Sequence, residues 1–291
     1  MARDSEHQQH QQHGESTLTF DPFTRHQFYT DVNRALVERT LDDLDSTHPS
    51  GEPVRIVELA SGTGAVTQLI LDALAHRERP AVIVGVDPSR DAIHRATHRF
   101  EGRAVSFVLG DAGDLGSAIG KADAAFFCNA IHLIPDKDVC LAALADALHP
   151  GGVLAFNTTF YEGAYVAGSE PFYYALTRRS IGWLRQNHPE VRLGHRGKVT
   201  ARQWLSPQEY RALVGRHGLA VSYLEEVPVR FPLSAVQDIG RYSLFIEGAL
   251  PGVPVPIGAD ALAAAAALAF DDLHLECVPR KWLQLVARRT S

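Results

Sequence analysis

The sequence predicts an α/β fold in which helices cover a doubly wound, mostly parallel seven-stranded sheet. Short apolar segments alternate with segments of helical periodicity between residues 53 and 157. A further helix and strand follow at 206–229, and a last apolar strand is predicted at 282–287. Right-handed crossovers between consecutive parallel strands then place helices on both faces of the sheet.

The individual elements follow from apolar runs and the turns that bound them. The predicted strands are 55–59, 81–86, 105–109, 124–128, 153–157, 220–229 and 282–287. The predicted core helices are 65–75, 90–100, 138–148 and 206–217, the last of which begins with Ser206-Pro-Gln-Glu, a helix-capping pattern. Pro150-Gly151-Gly152 predicts a turn before the fifth strand, and apolar residues at helical spacing predict one or two helices over residues 20–44.

Composition excludes several classes of protein. The chain has 291 residues, 45% of them hydrophobic, and a net charge of −6, which argues against a nucleic-acid partner bound through overall positive charge. No apolar run reaches the roughly 18 residues of a membrane span, and the first residues lack the apolar segment of a secretion signal, so we expect a cytoplasmic protein without a membrane partner. Three scattered cysteines predict neither a disulfide framework nor a metal site.

The most informative segment is the apolar strand that leads into Glu58-Leu-Ala-Ser-Gly-Thr-Gly64. Glycines at such a turn allow a ligand to approach the backbone. A dinucleotide fingerprint requires a third glycine three residues after Gly64, where this chain has Thr67, which argues against a pyrophosphate cradle. The acidic Glu58 favours a cationic ligand nearby, although its side chain has the alternative of bonding loop amides.

Polar residues follow the next three strands at the same predicted edge of the sheet. Asp87 comes 23 residues after Gly64, where a carboxylate can accept both hydroxyls of a ribose; a helix N-cap is the alternative role. Asp111 follows the third strand, where it is suited to accept from an adenine amino group, and Asn129 and His132 follow the fourth.

This ordered set of motifs resembles the class I S-adenosylmethionine-dependent methyltransferases. The resemblance covers about residues 53–230 together with the final strand. It implies a Rossmann-like methyltransferase sheet with a helical cap. It also implies an enzyme that transfers a methyl group from S-adenosylmethionine to a small-molecule acceptor, as in secondary metabolism.

The resemblance implies a set of cofactor-binding residues at the strand tips. They are Tyr29, Glu58, Ala60, Ser61, Gly62, Gly64, Asp87, Pro88, Asp111, Ala112 and Asn129. By analogy, the loop after the first strand holds the methionine part, Asp87 the ribose, and Asp111 with Ala112 the adenine, while the Asn129 backbone borders the sulfonium. The family more often has glycine at the position of Ala60, which implies a slightly displaced loop.

The segment 159–204 is rich in both aromatic and basic residues. It contains eight aromatic residues, and seven basic residues against three acidic ones. Aromatic side chains can wall an apolar pocket and guanidinium groups match phosphate or carboxylate, so the segment predicts a pocket for an amphiphilic anion. The candidate substrate-binding residues are Tyr165, Tyr173, Arg178, Arg179, Trp183 and Arg196. A solvated helix face is the alternative.

Catalytic candidates depend on the acceptor. His132 is placed to deprotonate a hydroxyl, Glu170 to remove a proton after methylation of an alkene, and Tyr161 is a weaker option. The second case corresponds to carbon methylation of a prenyl diphosphate through a carbocation, as in bacterial prenyl diphosphate methyltransferases; Mg²⁺ is expected only with such a diphosphate. A further alternative is an enzyme that binds the donor but catalyses a reaction other than methylation.

The predicted organisation divides the chain into seven segments. They are a disordered tail at 1–16, lid helices at 17–50, a donor-binding core at 51–158, a cap at 159–204, a core helix and strand at 205–232, a second helical cap at 233–279 and the last strand at 280–291. The two cap segments are expected over the carboxyl ends of the strands. A homodimer remains an open alternative to a monomer.

Overall fold

The computed structural model describes residues 19–48, 53–111, 120–194 and 204–290. The predicted disordered tail lies outside these residues. Within them, seven strands form one sheet in the order β3-β2-β1-β4-β5-β7-β6, with β7 antiparallel to both of its neighbours. The strands are β1 (Val54–Leu59), β2 (Ala81–Asp87), β3 (Val105–Leu109), β4 (Ala122–Cys128), β5 (Leu148–Thr158), β6 (Leu219–Phe231) and β7 (Val278–Arg289). The predicted fold class is confirmed.

Helices occupy the crossovers and the segments outside the sheet. They are α1 (Asp21–Thr24), α2 (Gln27–Asp45), α3 (Ala65–His76), α4 (Arg90–Arg99), α5 (Lys137–Ala147), α6 (Glu170–Asn187), α7 (Pro207–Arg216), α8 (Leu233–Ile239), α9 (Ser243–Ala249) and α10 (Val255–Asp272). The predicted capping pattern is present at α7, where Ser206 and Glu209 bond reciprocally. Among the described helices, none has the length and apolarity needed to cross a membrane.

The prediction of a turn before the fifth strand is wrong. Pro150-Gly151-Gly152 lies inside β5, which begins at Leu148. Leu148 pairs with Ala122 and Val153 pairs with Ala124, so the intervening residues form a bulge. Gly151 has a φ of +82°, which permits this backbone path, and pairing with β4 continues on both sides. A glycine pair in sequence does not distinguish a bulge from a turn.

The last two strands are longer than predicted. β6 and β7 form an antiparallel pair from Leu219↔Arg289 to Phe231↔Val278. Only part of β7 also pairs with β5, between Leu283 and Arg288. The first residues of β7 pair mainly with β6 and also form a bridge between Arg280 and Tyr165, which the burial pattern of the sequence does not reveal.

The described residues divide into two compact units. The sheet unit comprises residues 24–48, 53–111, 120–171, 204–231 and 277–290, and the helical unit comprises 19–23, 172–194 and 232–276. The helical unit draws on both segments predicted to form a cap. The boundaries of the predicted segments and the position of the cap stay predictions.

The helical unit has its own packing. The Phe172 ring of α6 meets the Phe270 ring of α10 edge to face, with centroids 5.5 Å apart. The Gly194 amide donates to the Pro251 carbonyl at 2.7 Å. Gly258 lies against Ile246, since a Cβ at Gly258 would fall 2.3 Å from Ile246 Cγ2, so α9 and α10 approach closely.

In the sheet unit, α2 is held against the sheet by both apolar and polar contacts. Leu36 and Leu41 are fully buried. Gln284 Nε2, from β7, donates to the Val32 carbonyl at 2.7 Å. Since both partners of this bond are buried, α2 is anchored to the sheet unit at a fixed register.

Two glycines of the turn between β1 and α3 differ in what surrounds them. Gly64 has a φ of +83°, and a Cβ there would lie 2.3 Å from the Phe100 ring. Gly62 has a φ of +53°, but a Cβ there would meet no atom within 4 Å. Gly64 is therefore required for packing, whereas the position of Gly62 faces open space.

We predict that Gly64→Ala lowers the free energy of unfolding by about 2–4 kcal/mol, because it combines left-handed backbone strain with a clash in the core. Gly62→Ala has the backbone cost alone, about 1–2 kcal/mol. Urea unfolding followed by tryptophan fluorescence measures both. Equal losses in the two variants would contradict this assignment.

Candidate functional site

The candidate site lies at one edge of the sheet unit. β1 pairs in parallel with β2 and β4, so the loops that follow these strands emerge at the same edge. Because β7 is antiparallel, its beginning, at Val278, lies at this edge as well. The sequence-predicted residues Glu58, Asp87 and Asn129 are brought together here.

Asp87 connects the tips of β1 and β2. Its Oδ2 accepts from the Gly62 amide at 2.9 Å and its Oδ1 from the Ser89 amide at 2.9 Å. Burial raises the pKa of Asp87, and these two amide bonds oppose the shift. The N-cap of α4 is Ser89, whose hydroxyl accepts from the Ala92 amide, so helix capping does not account for Asp87. Each carboxylate oxygen retains a lone pair for a ligand hydroxyl.

Glu58 is buried beneath the same loop. Its Oε2 accepts from the Thr67 hydroxyl at 2.5 Å, which joins β1 to the first turn of α3. Burial, with a smaller contribution from the nearby Asp87 charge, raises the pKa of Glu58 to about 8, although the hydrogen bond from Thr67 opposes the shift. Glu58 is therefore mostly protonated at neutral pH. Thr67, at the position of the third glycine of a dinucleotide fingerprint, is its hydrogen-bond partner.

Two buried polar atoms at this edge have no hydrogen-bond partner among the described residues. They are Ser61 Oγ and Asn129 Nδ2. Ser61 lies over Gly85, where a Cβ would come within 2.9 Å of Ser61 Oγ. A buried polar atom without a partner costs about 1–3 kcal/mol, so these atoms and the open space at Gly62 fit a polar ligand such as the methionine part of S-adenosylmethionine.

Three asparagines form a chain of hydrogen bonds from this edge to α2. Asn129 has a φ of +51°, and its backbone nitrogen donates to Asn157 Oδ1 at 2.9 Å. Its own Oδ1 accepts from the Thr159 backbone amide at 3.1 Å. Asn157 Nδ2 donates to Asn33 Oδ1 at 2.9 Å, and Asn33 Nδ2 donates to the Tyr29 carbonyl at 2.7 Å. The sequence analysis missed Asn33 and Asn157.

Tyr29 lies at the inner end of this chain. Its side chain is buried, and its ring meets the Trp282 ring edge to face at 5.8 Å. Burial raises the pKa of Tyr29 well above its usual value, and nearby Cys128 and Glu58 raise it further. Tyr29 is thus close to Glu58, as the predicted cofactor site requires.

His132 lies in a short 3-10 turn directly after β4. Its Nδ1 is 3.2 Å from Thr158 Oγ1, and its ring centroid is 4.4 Å from that of Phe160. Burial lowers the pKa of His132 to about 3, with smaller contributions from the positive charges of Lys137 and Arg280. The imidazole is therefore neutral at physiological pH and is a weak base.

The two cations near His132 are themselves buried. Lys137, at the start of α5, is 6% exposed, and its Nζ donates to the Ile134 carbonyl at 2.9 Å. Arg280, on β7, is 5% exposed, and its Nε donates to Thr159 Oγ1 at 2.8 Å. The sequence analysis missed both residues, because neither lies in a recognisable motif.

The Tyr161 side chain is buried and hydrogen-bonded. Its hydroxyl donates to Glu226 Oε1 at 2.7 Å, and Glu226 Oε2 accepts from Lys281 Nζ at 3.3 Å. Burial raises the pKa of Tyr161, as does the neighbouring Glu226 carboxylate. The phenol is thus held in its protonated form by a carboxylate, which disfavours a role as a base.

The other predicted site residues have varied positions. Ala60, with a φ of +49°, belongs to the loop after β1, while Pro88 and Asp111 are exposed at strand tips. Glu170 is exposed at the start of α6, and Tyr165 is 45% exposed. Tyr173, Arg178, Arg179 and Trp183 lie on α6 in the helical unit, and Arg179 pairs with Asp272. Ala112 and Arg196 lie outside the described residues.

The pairing of Arg179 with Asp272 weakens its case as an anion-binding residue, since its charge is already balanced. Within residues 19–48, 53–111, 120–194 and 204–290, no cluster of His, Cys, Asp or Glu side chains could hold a metal ion. The predicted roles of all these residues stay predictions.

Comparisons with known proteins agree with this geometry. Residues 56–152 match a family described as a methyltransferase domain. The chain is 33% identical over 106 residues to the fatty-acid O-methyltransferase of Mycolicibacterium smegmatis. That alignment covers 36% of this chain and 37% of that protein. It is 27% identical over 196 residues to the malonyl-[acyl-carrier protein] O-methyltransferase of Chlorobium luteolum. That alignment covers 65% of this chain and 72% of that protein.

The fold is similar to a solved structure as well. A candidate sarcosine dimethylglycine methyltransferase from Galdieria sulphuraria superposes with a TM-score of 0.55 at 11% identity, covering 94% of each chain. This chain thus spans well under two thirds of the length of the first relative and matches the solved structure in fold alone. In its ordered motifs, its sheet and the domain matched at residues 56–152, the chain is similar to the class I S-adenosylmethionine-dependent methyltransferases.

Proposed function

We propose that this protein transfers the methyl group of S-adenosylmethionine to a carboxylate oxygen of a small amphiphilic acid, forming a methyl ester. The observation that carries the proposal is the neutral, weakly basic His132 beside two buried cations. An acceptor with a protonated hydroxyl needs a base. A carboxylate is already ionised at neutral pH and needs none.

The residues at the ends of β1, β2 and β4 fit the donor. Asp87 would bind the ribose hydroxyls, while Ser61 Oγ and Asn129 Nδ2 supply unused hydrogen-bonding capacity for the methionine part. When bound, S-adenosylmethionine supplies a methyl carbon attached to a positively charged sulfur. Tyr29 and Glu58 border the same region.

Transfer to a carboxylate balances without an added proton acceptor. A lone pair of the carboxylate oxygen forms the new bond to the methyl carbon, and the electrons of the carbon–sulfur bond return to sulfur. The protein's contribution is alignment and the exclusion of water. The products are the methyl ester and S-adenosylhomocysteine, and no proton is released.

The charges near His132 favour an anionic acceptor. Lys137 and Arg280 are both almost fully buried at this edge, and both disfavour protonation of His132. Two cations in a region of low dielectric attract an anion more strongly than the same charges at the surface. By their names, the two relatives act on a fatty acid and on a malonyl group, which are both acids.

His132 has a role that does not require it to accept a proton. The Thr158 hydroxyl accepts from the Phe160 amide at 3.0 Å, which leaves the hydroxyl proton available for His132 Nδ1. The imidazole proton is then on Nε2, where it can donate a hydrogen bond to an acceptor oxygen. His132 would thus orient the acid.

The identity of the acceptor and the pH dependence of its methylation test the proposed function. With labelled S-adenosylmethionine, we expect label in the methyl ester of dodecanoate or of a malonyl thioester. At saturating donor, kcat should be nearly constant between about pH 6 and pH 7, since the acceptor is ionised, His132 is neutral and Glu58, with a pKa of about 8, stays mostly protonated throughout. His132→Asn should lower kcat/KM by up to about 10-fold, the effect of one hydrogen bond.

The same assay includes a phenol, and a prenyl diphosphate with and without Mg²⁺. A phenol methylated at a rate that rises with pH, together with a loss of about 100-fold or more in His132→Asn, would make His132 a base and contradict the proposal. Transfer to the prenyl diphosphate alone, abolished in Glu170→Gln, would instead support carbon methylation.

A further prediction concerns donor binding. Asp87→Asn replaces one acceptor oxygen by an NH₂ group that faces a backbone amide. One of the two bonds from the Gly62 and Ser89 amides is therefore lost. We expect the Kd for S-adenosylmethionine to rise about 10- to 100-fold, as for the loss of a hydrogen bond to a charged group. Isothermal titration calorimetry measures it.

Asp72→Asn is the matched control, because Asp72 is exposed on α3 and its Oδ1 accepts only from the Gln68 side chain at 2.7 Å among the described contacts. It removes the same charge and should leave Kd unchanged. An unchanged Kd in the Asp87 variant would remove Asp87 from the donor site.

A further inference from the structure

We propose that Arg280 is a positioning residue that fixes the orientation of His132 through the segment that follows β5. Arg280 acts at a distance, through Thr159 and Phe160, and is not proposed to touch the acceptor. The inference rests on the proposed function, since it concerns the residue that would orient the acid.

Arg280 grips the backbone immediately after β5. Its Nε donates to Thr159 Oγ1 at 2.8 Å and to the Thr159 carbonyl at 3.0 Å, and a terminal nitrogen donates to the same carbonyl at 2.6 Å. A planar guanidinium can hold one residue through several parallel bonds, which an ammonium group cannot reproduce. The side chain is 5% exposed, so these bonds are protected from water.

Aromatic rings surround the guanidinium. Its central carbon lies 5.2 Å from the centroid of the Phe160 ring and 4.8 Å from that of Tyr165. Both distances are within the range of a cation–π interaction. Trp204 borders both rings, with centroids 6.1 Å from Phe160 and 5.7 Å from Tyr165. Arg280 thus restrains Phe160 in two ways, through its hydrogen bonds to the preceding residue Thr159 and through its contact with the Phe160 ring.

The residues that Arg280 fixes are those that contact His132. Phe160 contacts the His132 ring, with 4.4 Å between centroids. Thr158, which precedes the gripped Thr159, places its hydroxyl 3.2 Å from His132 Nδ1. The ring contact restrains the plane of the imidazole, and a Thr158 hydroxyl that donates to Nδ1 leaves the imidazole proton on Nε2.

The positive charge of Arg280 also favours the neutral form of His132. Burial is the largest cause of the low pKa of His132, and Lys137 and Arg280 lower it further. These are the charged groups that act on His132 among the described residues. A neutral imidazole with its proton on Nε2 is the state that the proposed function requires.

The test compares Arg280→Lys, which keeps the charge but loses the planar fork, with Arg280→Met, which loses both. Arg288→Lys is the matched control, because Arg288 is on the same strand and donates to the Asp43 carbonyl at 2.6 Å, away from His132. The ¹⁵N shifts of His132, assigned with His132→Asn, report which nitrogen is protonated. The kcat for methylation of dodecanoate reports function.

We expect one tautomer in the unchanged protein and in Arg288→Lys, and a mixture of tautomers in both Arg280 variants. In both Arg280 variants kcat should fall by up to about 10-fold, the same limit as for loss of the His132 hydrogen bond, while KM for S-adenosylmethionine stays within twofold. If folded Arg280 variants retain a single tautomer and a kcat within twofold, the proposal is overturned.

Two further results separate this proposal from the proposed function. If no acid is methylated, the proposed function fails, while the His132 shifts still test Arg280. If Arg280→Met does not fold, Tyr165→Leu removes one face of the stack from a partly exposed position, and mixed tautomers are expected there too. A single tautomer in both Tyr165→Leu and Arg280→Lys would overturn the proposal.

Discussion

The hydrogen bonds from Gly62 and Ser89 to the Asp87 carboxylate are the interaction on which the rest of the site depends. They fasten the loop after β1, with its left-handed residues Ala60 and Gly62, to the tip of β2. This path leaves the Ser61 hydroxyl buried and without a partner among the described residues, and it leads into α3 through Gly64. A carboxylate is suited to this role because it accepts two amides and retains further lone pairs.

Buried polar groups at this edge are connected rather than isolated. Thr67 satisfies Glu58, and the chain of Asn129, Asn157 and Asn33 continues to α2. The Asn129 side chain is held separately, because its Oδ1 accepts from the Thr159 backbone amide, so the position of Nδ2 is restrained before any ligand is bound. Preorganised donors of this kind cost little reorganisation when a ligand arrives.

Electrostatics change the chemical interpretation of His132. A histidine after the fourth strand suggests a general base when it is read as a motif. In the folded chain, burial together with Lys137 and Arg280 makes it a neutral group with little basicity. Burial is the main cause of its low pKa, and the two cations that add to this effect are the same groups that the proposed function uses to favour an anionic acceptor.

The amino-acid sequence by itself determined the α/β class, most strand and helix positions and the polar residues at the strand tips. It could do so because periodicity and turn chemistry are local, and because parallel strands bring their carboxyl ends to one edge. It did not reveal the bulge at Gly151, since glycine permits a bulge as readily as a turn.

Only the tertiary structure decided the partners of the buried polar groups. Asn157 and Asn33 are 124 positions apart, and Arg280 and Thr159 are 121 apart. Such pairs depend on how α2 and β7 pack against β5, and an isolated asparagine or arginine in a sequence carries no sign of its partner. The state of His132 was decided in the same way, because burial and the positions of Lys137 and Arg280 are properties of the folded chain.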